Sequence, residues 1–115
     1  MPFFLKRKEI LRKNRDIEAI FARNNKIVGK FVLIYFNQGE KRKVAFIVSK
    51  KIDKRAVVRN KVRRWLKEIY RQGKLSLGEN IELLIIARHE IINAKYEMLK
   101  DEIEGLFNNI NYRIN

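Results

Sequence analysis

The seventeen residues "RAVVRNKVRRWLKEIYR" at positions 55–71 carry seven Lys or Arg side chains and a single Glu. Arg55, Arg59, Arg63, Lys67 and Arg71 recur every four residues, with Lys61 and Arg64 alongside. On a helix this spacing stacks like charge on like charge, at a cost of about 0.2–0.5 kcal/mol per pair. A polyanion that neutralises the ladder removes that cost. Arginines outnumber lysines here, and a guanidinium grips phosphate oxygens through two parallel hydrogen bonds, a geometry that an ammonium lacks. Asn60, set among the cations, adds an amide that both donates and accepts, as a base edge or a ribose hydroxyl requires. The chemistry on offer is nucleic-acid binding.

Groups for bond-breaking chemistry are sparse. His89 is the only histidine, and with no Ser or Cys partner near it in sequence it reads as a surface or loop residue. Glu97, Asp101 and Glu102 lie among lysines near the C-terminus and read as the solvated face of a helix. With no cysteine there is no disulfide, no thiolate nucleophile and no Cys-based zinc site. Neither a P-loop nor a dinucleotide fingerprint occurs. We therefore expect no catalytic side chain, no metal ligands and no small-molecule substrate.

The elements that must hold the basic stretch follow from hydrophobic periodicity. With about 100° per residue, Val58, Val62, Trp65, Leu66 and Ile69 form one apolar stripe, and the cations lie opposite it. Before this helix, "FVLIYFN" and "KVAFIVSK" are β-branched and aromatic runs separated by "QGEKRK", and they read as an antiparallel pair turning at Gly39. Ile10, Leu11, Ile17, Ile20 and Phe21 recur at helical spacing, and Asn14 can cap a first amphipathic helix running from about Arg15 to Arg23, which "NNKIVGK" then breaks. After the basic helix stops near Gly73, "IELLIIAR" reads as a strand buried on both faces. "NAKYEMLKDEIEGLFNNI" reads as a closing helix capped by Asn93. The fold class expected is α+β, a small sandwich of a mixed sheet with helices in the order α-β-β-β-α-β-α. One domain spans residues 1–115.

Of the 27 Lys and Arg, 22 fall in residues 1–72, against six acidic side chains there; residues 73–115 hold five basic and seven acidic. The net charge of +14 is thus concentrated where the basic helix lies, and it points to a polyanionic partner. The apolar residues of "MPFFLKRKEILRK" precede its basic cluster, the reverse of a secretory signal. The longest apolar runs are strand-length. These features predict a cytoplasmic protein with no membrane partner. Because a strand and not a second helix precedes the basic helix, RNA is preferred over DNA.

The stretch "VSKKIDKRAVVRNKVRRWLKEIYR" closely resembles the signature of the protein subunit of bacterial ribonuclease P, whose hallmark is an Arg-Asn-Arg/Lys core within a longer basic helix. "LRKNRDIEAIF", "FVLIYF", "VAFIVSKK", "NIELLIIAR" and "YEMLKDEIEGLF" extend the resemblance over nearly the whole chain. The resemblance implies a subunit of an endoribonuclease that removes the 5′ leader of precursor tRNA, with catalysis carried by ribonuclease P RNA and Mg²⁺. It implies that Arg55, Arg59, Asn60, Lys61, Arg63, Arg64 and Lys67 face that RNA, and that the strand-helix-strand crossover is left-handed. It further implies a leader-binding cleft made by Ile17, Phe21, Val32, Ile34, Ile47, Ser49 and Lys51. Ile17 stands where the family commonly has an aromatic, which leaves Phe21 as the main stacking candidate. A one-residue gap between Phe21 and Phe31 keeps Leu33 and Tyr35 open as alternatives to Val32 and Ile34. Alternation along a strand would put Ile47, Ser49 and Lys51 on one face. A ribosomal-type structural RNA-binding protein, a protein-only nuclease and a DNA-binding repressor are the rival readings.

Overall fold

A computed structural model describes residues 9–11 and 13–114. Its elements are α1 (Asn14–Arg23), β1 (Lys26–Val28), β2 (Val32–Gln38), β3 (Lys43–Ile47), α2 (Ala56–Gly73), β4 (Ile81–Ala87) and α3 (Tyr96–Ile114). Short 3₁₀ turns lie at Lys74–Ser76 and His89–Asn93. The α+β class and the mixed sheet are those expected.

The four strands lie in the order β1-β2-β4-β3. The expected β2–β3 hairpin does not form, because β4 lies between the two, antiparallel to β2 and parallel to β3. The physical reason is composition. "IELLIIA" is the most continuously apolar strand, and the centre of the sheet is the one place where both of its faces and both of its edges are covered. The Gly39 N–H donates to the Asn80 carbonyl, 3.0 Å away, so the segment after β2 is tied to the entry of β4. The long connection that a parallel pair requires is α2. Ile10 and Leu11 do not belong to the first helix. They run along the open edge of β3, with an Ile10–Val44 bridge and a Leu11 N–H to Val44 carbonyl bond of 2.8 Å.

Each face of the sheet has its own core. Val32, Ile34 and Phe36 of β2 point toward α2 and α3, where they meet Val62, Leu66 and Ile69 of α2 and Leu99, Ile103, Phe107 and Ile110 of α3. The smaller core on the other face comprises Leu11, Ile20, Ala45 and Leu84, with Ile17, Tyr35 and Ile86 at its margin. Two expected caps are corrected. Asn14 is already helical, with Lys13 at the cap position and no side-chain cap bond, and Asn93 ends a 3₁₀ turn ahead of α3. Asn24, in the left-handed conformation with φ 55°, terminates α1. Gly73 ends α2 as expected.

Two carboxylates act structurally. Glu102 is not a solvated helix residue: it accepts the backbone N–H groups of Lys30 (2.6 Å), Phe31 (2.8 Å) and Val32 (3.1 Å), latching α3 to the β1–β2 turn. Gly29 is required beside it, since a Cβ there would stand 2.7 Å from the Glu102 carboxyl. Glu102→Ala leaves three donors unmatched, two of them part-buried, and should cost about 2–3 kcal/mol in denaturant unfolding. Glu102→Gln, which keeps one acceptor oxygen, should cost less. Glu9, in turn, meets Lys74 Nζ at 2.9 Å and receives the Tyr70 hydroxyl at 3.3 Å, joining the N-terminal segment to the end of α2. Burial, reinforced by the Glu9 charge, pushes the Tyr70 hydroxyl far above its ordinary range.

Candidate nucleic-acid interface

α2 forms because its apolar residues recur at helical spacing against the sheet, which leaves the cations on its outer face. These cations divide into two groups. Arg55 forks onto Asp53, Nε to Oδ1 at 3.1 Å and Nη2 to Oδ2 at 2.9 Å, and its N–H also reaches Oδ1. Those bonds hold the Asp53 carboxyl down at about 2, so it stays anionic and partly neutralises Arg55. Arg59 donates from Nη1 to the carbonyls of Asp53 and Lys54, at 2.9 and 2.8 Å. Arg63 donates to Asn60 Oδ1 at 3.0 Å and to the Val48 carbonyl at 3.1 Å. Arg71 pairs with Glu68. These four arginines build the surface before they bind anything, and the loop of residues 48–55 is fastened to α2 through three of its carbonyls.

Lys61, Arg64 and Lys67 are exposed and form no ion pair with any described residue. Lys61 Nζ stands 4.7 Å from the Trp65 ring centroid, and Trp65 itself packs edge-on to Tyr96 at 5.6 Å. Lys50, Lys51 and Lys54 are likewise exposed in the adjoining loop. The outer face of α2 and this loop make one cationic surface of the kind that tracks a phosphate backbone.

The second candidate region is the sheet face under α1. Strand register corrects the assignment of Val32 and Ile34: both are fully buried in the larger core, where no ligand reaches them. Period-two alternation puts Leu33 and Tyr35 on the α1 side. There the rows Leu33–Ile86–Ile47 and Tyr35–Leu84–Ala45 cross the sheet in register. Leu33, Ile86, Ile47, Tyr35 and Ile17 are all half-buried, so α1 covers this face incompletely. Phe21 is 37% exposed and packs edge-on to Tyr35 with ring centroids 4.7 Å apart. Lys26 Nζ lies 5.9 Å from the Tyr35 ring. An aromatic pair beside a cation is therefore present, the cation being Lys26 of β1.

β3 ends at Ile47, and alternation cannot be carried beyond it. Ser49 and Lys51 are exposed in the turn that follows, which is closed by the Ile52 N–H on the Ser49 carbonyl at 3.1 Å. They flank the Leu33–Ile86–Ile47 end of the face through the loop. The sequence leaves Tyr35 only as an alternative to Ile34 because a single-residue shift turns a strand over, and it gives no signal for Lys26, whose place beside Tyr35 depends on the β1–β2 register. Among the described residues no group of three or more His, Asp or Glu is arranged to hold a metal. His89 is exposed in a 3₁₀ turn. No helix among the described residues is long and apolar enough to cross a membrane.

The ribonuclease P family model matches residues 5–111. The chain is 30% identical over 103 residues to the ribonuclease P protein component of Alkaliphilus oremlandii, an alignment covering 88% of this chain and 90% of that one. It is 34% identical over 103 residues to that of Dictyoglomus turgidum, with 86% of each chain covered. In three dimensions it resembles the RNase P protein of Thermotoga maritima, with a TM-score of 0.79 at 21% identity over 88% of this chain and 96% of the other. The RNase P protein of Staphylococcus aureus gives a TM-score of 0.78 at 21% identity over 89% and 94%.

Proposed function

Because the chain belongs to the ribonuclease P protein family, we propose that it is the RNA-binding subunit of a ribonucleoprotein that removes the 5′ leader from precursor tRNA, with catalysis carried by a ribonuclease P RNA. The observation that carries this reading is the pairing of two surfaces on one small domain: the cationic face of α2 and the half-covered aromatic face beside α1. The first suits a folded RNA, which is gripped through its phosphates. The second suits an unpaired strand, which stacks its bases on aromatic rings and lays its phosphates near cations. We assign Lys61, Arg64 and Lys67 to direct contact with the catalytic RNA, and Arg55, Arg59, Asn60 and Arg63 to shaping that surface. Phe21, Tyr35, Leu33, Ile47 and Lys26, with Ser49 and Lys51 at one end, take the leader.

In this reading the Mg²⁺ requirement belongs to the RNA, and the protein contributes cations that lower repulsion between two RNA molecules. The test is reconstitution. Added to a bacterial ribonuclease P RNA and precursor tRNA at low Mg²⁺, the chain should restore cleavage that the RNA alone performs poorly. Unaltered cleavage in the presence of bound protein would favour a purely structural RNA-binding role.

The aromatic face makes its own prediction. Phe21→Ala should weaken binding of precursor over mature tRNA by about 1–3 kcal/mol. Its loss of stability should fall below the about 3–5 kcal/mol of a core phenylalanine, because the residue is already 37% exposed. A variant that melts far lower yet keeps the precursor preference would assign the ring to packing.

A further inference from the structure

A polar pocket of about 420 Å³ lies where α1 ends, β1 begins and β2 ends, lined by Arg23, Asn25, Phe36, Asn37, Gln38 and Arg113. Its cations come from two elements, Arg23 from the last turn of α1 and Arg113 from the last turn of α3. Arg113 Nη1 is 3.4 Å from the Lys26 carbonyl oxygen. Among the described residues neither guanidinium is paired with a carboxylate. The wall is firm: Phe36 is 5% exposed, and its N–H is bonded to the Asn25 carbonyl at 2.9 Å. Asn37 is held by Glu82, Nδ2 to Oε1 at 3.4 Å.

The composition selects the ligand. Two guanidinium groups from different elements suit a phosphate, which each can meet with parallel donors. Three carboxamides suit a heterocycle edge that presents donors and acceptors together. The pocket lies at the end of the sheet, reached from the aromatic face by Arg23 and Asn37 and from the α3 side by Phe36 and Arg113. Arg23 follows Phe21 by two residues around the end of α1, and Asn37 follows Tyr35 by two residues on the same face of β2. Ser49 and Lys51 flank the opposite end of that face, so the pocket lies beyond Phe21 and Tyr35 along the path from them.

We propose that this pocket binds a further nucleotide of the single strand that crosses Phe21 and Tyr35, its phosphate between Arg23 and Arg113 and its base edge on the carboxamides. The inference rests on the reading of that face as the leader cleft. It adds a subsite that only a leader long enough to pass the aromatic pair can fill.

The experiment uses the reconstituted holoenzyme and two precursor tRNAs, one with a leader too short to pass Phe21 and one with a leader that extends well beyond it. Arg23→Ala combined with Arg113→Ala should lower affinity for the long-leader precursor about tenfold and leave the short-leader precursor unchanged. For the long leader alone, the slope of log affinity against log salt should become shallower by about 0.7, the value for one phosphate of a single strand. Arg23→Lys with Arg113→Lys should restore the slope while recovering only part of the affinity. Equal losses for both precursors would place the contact on another part of the RNA and overturn the proposal. If Phe21→Ala reduces precursor preference while the arginine pair has no effect, the subsite is wrong and the cleft stands. If neither has an effect, both are wrong. A melting curve of each variant protein confirms that folded material is compared.

Discussion

Lys74→Met is expected to cost about 3–5 kcal/mol of folding stability. Lys74 and Glu9 form an ion pair with side-chain exposures of 4% and 11%, so removing the ammonium leaves a carboxylate with little access to water. The Tyr70 hydroxyl at 3.3 Å compensates only in part. Glu9→Gln with Lys74→Met should recover much of the loss, because the amide needs no counter-charge. Urea unfolding of the two single variants and the double variant gives the coupling directly. Simple additivity would show that the pair is hydrated in solution and contributes little.

The second large effect belongs to binding. Lys61→Ala, Arg64→Ala and Lys67→Ala together should weaken association with the ribonuclease P RNA by about a hundredfold or more at physiological salt. If each removes one phosphate contact, the slope of log affinity against log salt should become shallower by roughly 2–3 units. The melting temperature should hardly change, since none of the three is buried. Arg59→Ala and Arg63→Ala behave differently, because they strip partners from the carbonyls of Asp53, Lys54 and Val48. Those variants should lose loop order along with affinity. An unchanged salt slope in the triple variant would mean that this face is only solvated.

Much of this was legible in the sequence, and the failures share one physical origin. The stripe of Val62, Leu66 and Ile69 is a local pattern, and so is the opposing row of cations; both are read from residues within a few turns of one another. Partnership across the sheet is not local. Nothing in "FVLIYFN" or "KVAFIVSK" specifies that residues 81–87 will come between them. Glu102 looked solvated because its three donors are about seventy positions away, and the Glu9–Lys74 pair, 65 positions apart in the chain, leaves no local pattern to read. The Val32–Ile34 choice failed on parity alone, since a one-residue offset exchanges the faces of a strand. Phe21 lies on the sheet side of α1, as its helical spacing indicates, and packs on Tyr35. Its partner Tyr35 waited on the strand register.

The central place of β4 also fixes when this protein can exist during its own synthesis. β2 and β3 have no direct ladder between them, and their shared neighbour is made only after α2. A ribosome-bound chain that stops before residue 81 therefore carries its arginine-rich segment with no completed sheet to hold it. The contacts that close the fold are distant in sequence, which makes folding a late event. A nascent chain halted at residue 80 should be degraded readily by protease, and one that includes β4 and α3 should resist it. The shaped RNA-binding surface thus emerges only once β4 and α3 have followed α2 out of the ribosome.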